Sequence, residues 1–209
     1  MKRPHNLLLS LFLCAGLCQA ICGQSEFTGG LLAGPVTSQV SGDGLGGWDK
    51  FGATAGGWVH MTFSDHYGMT FAIQYIMKGS RKPADPNNGD FDTFAYRLNY
   101  IDVPIMLSYR RAASRAPLQF NVGLYAGVLV SQEQRYNGAA AGIEPPFNEI
   151  DFGATGGITW WLSKKLNLEL RGTNSVLPSR NAPNPVNAGR FYEQGNYNQT
   201  LMLLFGLRF

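Results

Sequence analysis

Cysteine is almost missing from this chain. Cys14, Cys18 and Cys22 are the only three in 209 residues, and all lie in the first segment. Once that segment is removed, the remainder holds its fold without disulfides, even in a compartment that allows them. Charge is scarce too: Asp, Glu, Lys and Arg make up 15% of the residues, with a formal net charge of +3. Lys2 and Arg3 supply two of those three charges, so the rest of the chain is close to neutral and gives no basis for a nucleic-acid partner. Beyond the first segment there is no run of 18 or more apolar residues, which excludes a helical membrane protein and leaves a barrel open. The mean hydropathy of -0.11 resembles that of a soluble protein, but barrel strands hide a lipid face in every second residue, so the average is uninformative.

The first segment has the layout of an export signal. Lys2 and Arg3 precede an apolar run from Leu7 to Leu17, followed by Ala20, Gly23 and Gln24. The run is shorter than the ~17 to 25 residues that cross a bilayer, and neither Cys18 nor Cys22 follows the small residue of a lipoprotein site. Residues 1–24 are therefore expected to be a signal peptide and 25–209 a single domain, since no linker or composition break divides them. Glycine is abundant, at 26 residues, which suits close strand contacts and tight bends better than helices.

Alternation with a period of two predicts strands over 30–40, 50–63, 67–79, 94–110, 117–131, 150–162, 165–175 and 198–209. In 117–131, Leu118, Phe120, Val122, Leu124, Ala126, Val128 and Val130 share one face, and Gln119, Asn121, Gly123, Tyr125, Gly127, Leu129 and Ser131 share the other. This length is more than a small soluble sandwich needs and matches the ~9 to 11 tilted residues that span hydrocarbon. The links alternate between short and long, and the chain ends on Phe209. The expected fold is all-β: a closed eight-stranded antiparallel transmembrane barrel with short periplasmic turns and longer extracellular loops. Phe63, Tyr67, Tyr109, Phe120, Trp160 and Phe209 then meet at one rim as an interfacial aromatic girdle.

Parity points Gln74, Lys78, Asp102, Arg110, Asp151, Glu169, Arg171 and Arg208 inward. Enclosed charges must pair or hold water, and Asp102, Glu169, Arg171 and Arg208 are expected to form a structural network. An eight-stranded lumen is just wide enough for side chains to fill it, so a broad diffusion pore is not expected. Pro104 lacks a ladder donor, which suggests a bulge or a local end of pairing in 94–110.

The links 80–93, 132–149 and 176–197 are polar or rich in Gly and Pro, and read as outer loops. Asp85, Asp90 and Asp92 have the oxygen chemistry of a calcium site, but DPNNGDFD lacks the closing acid of a twelve-residue calcium loop. Ser64, Asp65 and His66 are neighbours in sequence, which does not make a triad. GATAGG at 52–57 and GATGGI at 153–158 lack the Lys-Ser/Thr of a phosphate loop. No catalytic group, metal or cofactor is indicated.

YIDVPIMLSYR at 100–110, FNVGLYAGVLVS at 120–131 and LMLLFGLRF at 201–209 resemble the Bacteroidota outer-membrane beta-barrel family that includes PorT-like proteins, through Tyr100, Asp102, Val103, Pro104, Gly123, Tyr125 and Phe209. Tyr75, Lys78 and Gly79 resemble the same family's aromatic-x-x-Lys-Gly ending, while Asp102 stands where a glutamate is more usual. The resemblance implies a location in the outer membrane, contact with its lipid and lipopolysaccharide, passage through the outer-membrane assembly machinery, and a secretion-system or surface partner. The function expected is structural, adhesive or secretion-associated. The alternatives are a narrow channel or small-molecule or lipid-binding barrel using Gln74, Asp102 and Arg171, and a lipid-modifying enzyme using His60, Ser64 and Asp65.

Overall fold

The computed structural model describes residues 26–45, 47–110, 118–181 and 195–209. The expected signal peptide with its cysteines, and the short turn at 111–116, lie outside the described residues, as does 182–194 of the expected link 176–197. The described chain is all-β: β1 (Glu26–Ser41), β2 (Lys50–Thr62), β3 (Tyr67–Lys82), β4 (Phe94–Arg110), β5 (Leu118–Tyr136), β6 (Ala139–Ala141), β7 (Ile150–Trp161), β8 (Leu166–Ser175) and β9 (Tyr197–Arg208), with one 3-10 turn at Pro86–Asn88.

Among the described residues nine strands stand where eight are expected. The additional one, β6, lies inside the expected loop 132–149 and pairs Ala139–Ala141 with the end of β5. Asn137 and Gly138 turn the chain there with φ of 48° and 83°, the left-handed pair that a two-residue hairpin requires. Strand ends differ as well. β1 begins at Glu26 rather than 30, β3 runs to Lys82 rather than 79, and β5 runs to Tyr136 rather than 131. The added residues are held because their neighbours lengthen with them: Lys82 pairs with Phe94, and Phe94 with Tyr136.

All pairings are antiparallel, in the order β4-β3-β2-β1-β9-β8-β7-β5-β6, with β4 also pairing β5. Each strand except β6 therefore has a partner on both edges. In hydrocarbon this matters because an unpaired backbone group costs several kcal/mol. β1 is joined to β9 from Gly30 opposite Arg208 to Ser41 opposite Tyr197, so the first and last strands complete each other's ladders.

Burial is inside out relative to a soluble barrel. Val122, Leu124, Val128, Ile150, Leu170 and Phe205 are exposed, while Gln74, Lys78, Asp102, Asn121, Asp151 and Arg171 are buried. The face predicted to point outward in β5 is the exposed one, and the same holds for Phe51, Ala53, Ala55 and Val59 in β2 and for Phe71, Ile73, Tyr75 and Met77 in β3.

Pro104 is buried on the inner face and pairs with Tyr125 of β5. Its cost falls on the other edge. The β3–β4 ladder runs to Phe71–Ile105 and resumes at Gln74–Asp102 in unchanged register, skipping Val103 and Pro104. The register shift in β4–β5 occurs elsewhere, between Asn99 and Tyr100, whose partners Ser131 and Leu129 leave Val130 unpaired. That extra residue reverses the parity of β5 and turns Ser131, Glu133 and Arg135 to the outer face.

Candidate functional site

The interior holds two charged layers packed beside a cluster of buried apolar side chains that includes Leu32, Val36, Ile76, Leu98, Met202 and Leu204. In the layer nearer the long loops, Lys78 of β3 projects across the lumen, with its Nζ 2.8 Å from Asp102 Oδ2 on β4 and 3.2 Å from Asp151 Oδ2 on β7. The ammonium also lies 4.7 Å from the ring centre of Tyr100 and 4.6 Å from that of Tyr125, within range of cation–π attraction. Asp151 is further satisfied as an acceptor, at 3.1 Å from the Tyr125 hydroxyl, 2.6 Å from Ser175 Oγ and 3.0 Å from Asn198 Nδ2. Six strands thus converge on one buried cation. Glycine makes room for it: a Cβ at Gly127 would overlap the Asp102 carboxylate, and one at Gly153 would stand 2.6 Å from the Tyr125 ring.

In the second layer Arg171 of β8 donates from Nε and Nη2 to the two oxygens of Glu169, both at 2.8 Å, and from Nη1 to Gln74 Oε1 at 3.2 Å. Two parallel charge-assisted bonds fix the guanidinium plane. Glu169 Oε1 also lies 3.4 Å from Asn121 Nδ2. From Asn121 the polar chain continues through Gln119 to Arg110 at the short-turn rim, while Ser108, Thr70 and His60 form a side branch from Asn121. Between these groups remains a cavity of about 30 Å³, room for roughly one water.

Of the residues expected to form one network, Asp102 belongs to the first layer, and Glu169 and Arg171 form the second. Arg208 joins neither: its Nη2 lies 3.7 Å from Glu26 at the rim, where it lines the short-turn mouth with Arg110, Lys164 and Lys165. Lys78 and Asp151 complete the first layer. Parity placed both inward, but their meeting across the lumen leaves no mark in local sequence. The girdle residues Phe63, Tyr67, Tyr109, Phe120, Trp160 and Phe209 are all exposed. Tyr67 sits opposite Tyr109, and Tyr109 opposite Phe120, in adjacent strand pairs, with 5.3 Å between the two tyrosine rings.

The long-loop mouth carries a second closure that sequence reasoning missed. Arg180 reaches the Tyr96 hydroxyl at 2.8 Å, the Pro145 carbonyl at 2.7 Å and the Glu144 carbonyl at 2.8 Å. Its guanidinium lies 5.3 Å from the ring centres of both Tyr96 and Phe147, and Phe147 is itself buried. Asn148 joins this link to the next through Pro178 and Ser179.

The loop acids are occupied within their loop. Asp85 and Asp90 exchange backbone bonds, Asp90 meets Lys82, and Asp92 accepts from Asn137 at 2.8 Å. The Lys82 and Asn137 bonds hold the Asp90 and Asp92 carboxyls below their usual range. Among the described residues no group of three or more His, Cys, Asp or Glu could hold a metal ion. His60 faces Thr70 at 2.9 Å, Ser64 Oγ accepts from the Tyr67 backbone N–H at 3.2 Å, and His66 faces the Arg110 carbonyl at 3.1 Å. None of these contacts is the serine–histidine bond that nucleophilic catalysis uses.

Among solved structures, Neisserial surface protein A is similar over 90% of this chain and 100% of that one, at 13% identity and a TM-score of 0.50. The attachment invasion locus protein Ail of Yersinia pestis is similar over 88% of this chain and 99% of that one, at 14% identity and a TM-score of 0.49. At 13% identity the likeness to Neisserial surface protein A concerns the fold alone. A search of the curated proteins gives no match. The family model described as an outer membrane protein beta-barrel domain matches residues 24–179. With strands paired on both edges, an apolar exterior and a charged interior, the chain belongs to that family and is a β-barrel protein of the outer membrane.

Proposed function

We propose that this protein is a small barrel of eight membrane-spanning strands with a structural and surface-contact role, acting through its outer wall and loops rather than through its lumen. The observation that carries this reading is the filled interior. Lys78, Tyr100, Tyr125, Gln74 and Arg171 are all about 2% exposed or less, and Arg180 ties two links together over the long-loop mouth. β6 is the short flap of a projecting hairpin, and the long links face outside. β4 and β5 have 17 and 19 residues, against 10 in β8; since ~9 to 11 cross hydrocarbon, this side of the wall projects beyond the membrane and offers a rigid surface for adhesion. Membrane lipid, lipopolysaccharide and the assembly machinery are the partners of this setting. A secretion-associated role is the second form of the same reading and follows from the resemblance to PorT-like proteins.

Planar-bilayer recording tests the lumen. The wild-type barrel is expected to give no resolved single-channel steps, and Arg180→Ala, which opens only the outer closure, is expected to stay silent because both charged layers remain. Steady ohmic conductance from the wild type would contradict the reading and favour the narrow channel. On cells, replacing 134–141 by a tight turn should leave the barrel in the membrane and abolish surface attachment. Loss of secretion with attachment intact would favour the secretion-associated form.

A further inference from the structure

On the outer wall, the apolar band ends and a compact basic cluster begins. Reading the outward face of β3 toward the long loops, Met69, Phe71, Ile73, Tyr75 and Met77 give way to Arg81. On β4, Ile105 and Ile101 give way to Asn99 and Arg97, and on β5 the unpaired Val130 is followed by Ser131, Glu133 and Arg135. The change occurs at the same level on three adjacent strands, where an apolar band about 25 Å tall meets the headgroups.

Register concentrates the charges. Ala95 of β4 lies opposite Arg81 on one side and Arg135 on the other. Two arginines thus flank a residue too small to separate them, and Arg97 stands two positions along. Lys50 adds a fourth cation to the lining of the same groove. Among the described residues Glu133 is the one acid lining the groove, 2.8 Å from Arg135 Nε and 3.8 Å from Arg97 Nη1. It orients two guanidinium groups while leaving a surplus of positive charge. These residues line an open groove of about 770 Å³, with Phe51 and Met77 among its lining and the bonded pair Asn99 and Ser131 within it.

We propose that this groove holds the phosphorylated sugar headgroup of an outer-leaflet glycolipid, with Arg81, Arg97 and Arg135 binding phosphate. Arginine forks match phosphate oxygens in pairs, Asn99 and Ser131 offer an amide and a hydroxyl to sugar hydroxyls, and Phe51 and Met77 lie where acyl chains begin. The inference rests on the membrane-spanning reading, which fixes the level of the cluster. It commits to a lipid rather than a free anion because Phe51 and Met77, exposed residues of the apolar wall, share the lining with the cations.

The test is native mass spectrometry of the whole barrel in nanodiscs, titrated with bisphosphorylated lipid A and with its dephosphorylated counterpart. Wild type should prefer the phosphorylated lipid. Each of Arg81→Gln, Arg97→Gln and Arg135→Gln should weaken binding about fivefold, and the triple variant about a hundredfold. Glu133→Gln should tighten binding, and the pair Lys164→Gln and Lys165→Gln, which removes two charges at the opposite rim, should leave it unchanged. Undiminished binding by the triple variant, or equal binding of both lipids, overturns the proposal. Displacement by inorganic phosphate at concentrations equal to the lipid overturns it in favour of a free anion. Heat-modifiable migration, read on the same samples, keeps the two readings apart: a folded barrel without lipid preference defeats only the lipid site, whereas a chain that never enters the nanodisc defeats the barrel reading and the lipid site with it.

Discussion

Lys78→Met is expected to lower the unfolding free energy of the barrel in phospholipid vesicles by about 3–5 kcal/mol, the range for removing one partner of a buried ion pair. The size of the effect follows from what remains. Lys78 Nζ lies 2.8 Å from Asp102 and 3.2 Å from Asp151, so its loss brings two carboxylates together in a closed lumen with no cation between them. Asp151 keeps its bonds from Tyr125, Ser175 and Asn198; Asp102 has no comparable set and becomes the main source of the loss. The double variant Lys78→Met with Asp102→Asn should therefore recover part of the stability, because it removes the uncompensated charge. Urea titration of the folded fraction measures both effects. A single variant within about 0.5 kcal/mol of wild type would show that the cluster contributes little to the fold.

The second large effect is expected on the opposite face. Leu124 is half exposed, opposite Ile105 on one neighbour and Ala154 on the other, midway along the apolar stretch of β5. An arginine placed there must sit among acyl chains, and Leu124→Arg should cost about 2–4 kcal/mol in the same assay. In a soluble barrel the same change on an exposed face would be nearly neutral. Gly142→Arg is the control: a side chain at Gly142 meets open space beyond the strands, and its cost should stay within about 0.5 kcal/mol. The contrast between the two arginines reports the solvent on each side of the wall, since the residue introduced is the same.

The fold was legible in the sequence because period-two alternation is local. Phe120, Val122 and Leu124 announce an outer face without knowledge of any other strand, and the aromatic residues at strand ends mark the level of the interface. β6 was legible in principle as well: Asn137-Gly138 is a strong hairpin signal, obscured by its place in a stretch otherwise rich in Ala, Gly and Pro. The extension of β3 and β5 was not, since those residues stay in strand form by pairing with each other beyond the apolar band. The bulge at Val130 exchanges the faces of the residues that follow, and local pattern gives no warning of it.

The interior was half legible. Parity directs Lys78, Asp102, Asp151, Glu169 and Arg171 inward, but their grouping depends on strand tilt and stagger, which only the whole barrel sets. Arg171 and Glu169 sit two apart on one strand and could be paired from sequence. Lys78 and Asp151 are 73 positions apart on strands that are not neighbours. Arg208 shows the converse: its parity is inward, but its level at the end of β9 leaves it at the rim. Arg180 lies in a segment with no periodicity, and its closure of the mouth depends on two links meeting in space.

One face of every long strand meets lipid, while the other packs into an interior that holds the buried charges beside apolar side chains. Spin labels on single cysteines introduced at each position from 118 to 130, in the barrel reconstituted into vesicles, test it most directly. Collision with oxygen should rise at Leu118, Phe120, Val122, Leu124, Ala126 and Val128 and fall at the positions between them, while a water-soluble nickel reagent should be excluded from those same six. Nickel access at Val122 and Leu124, or oxygen collision without a period of two, would contradict the account.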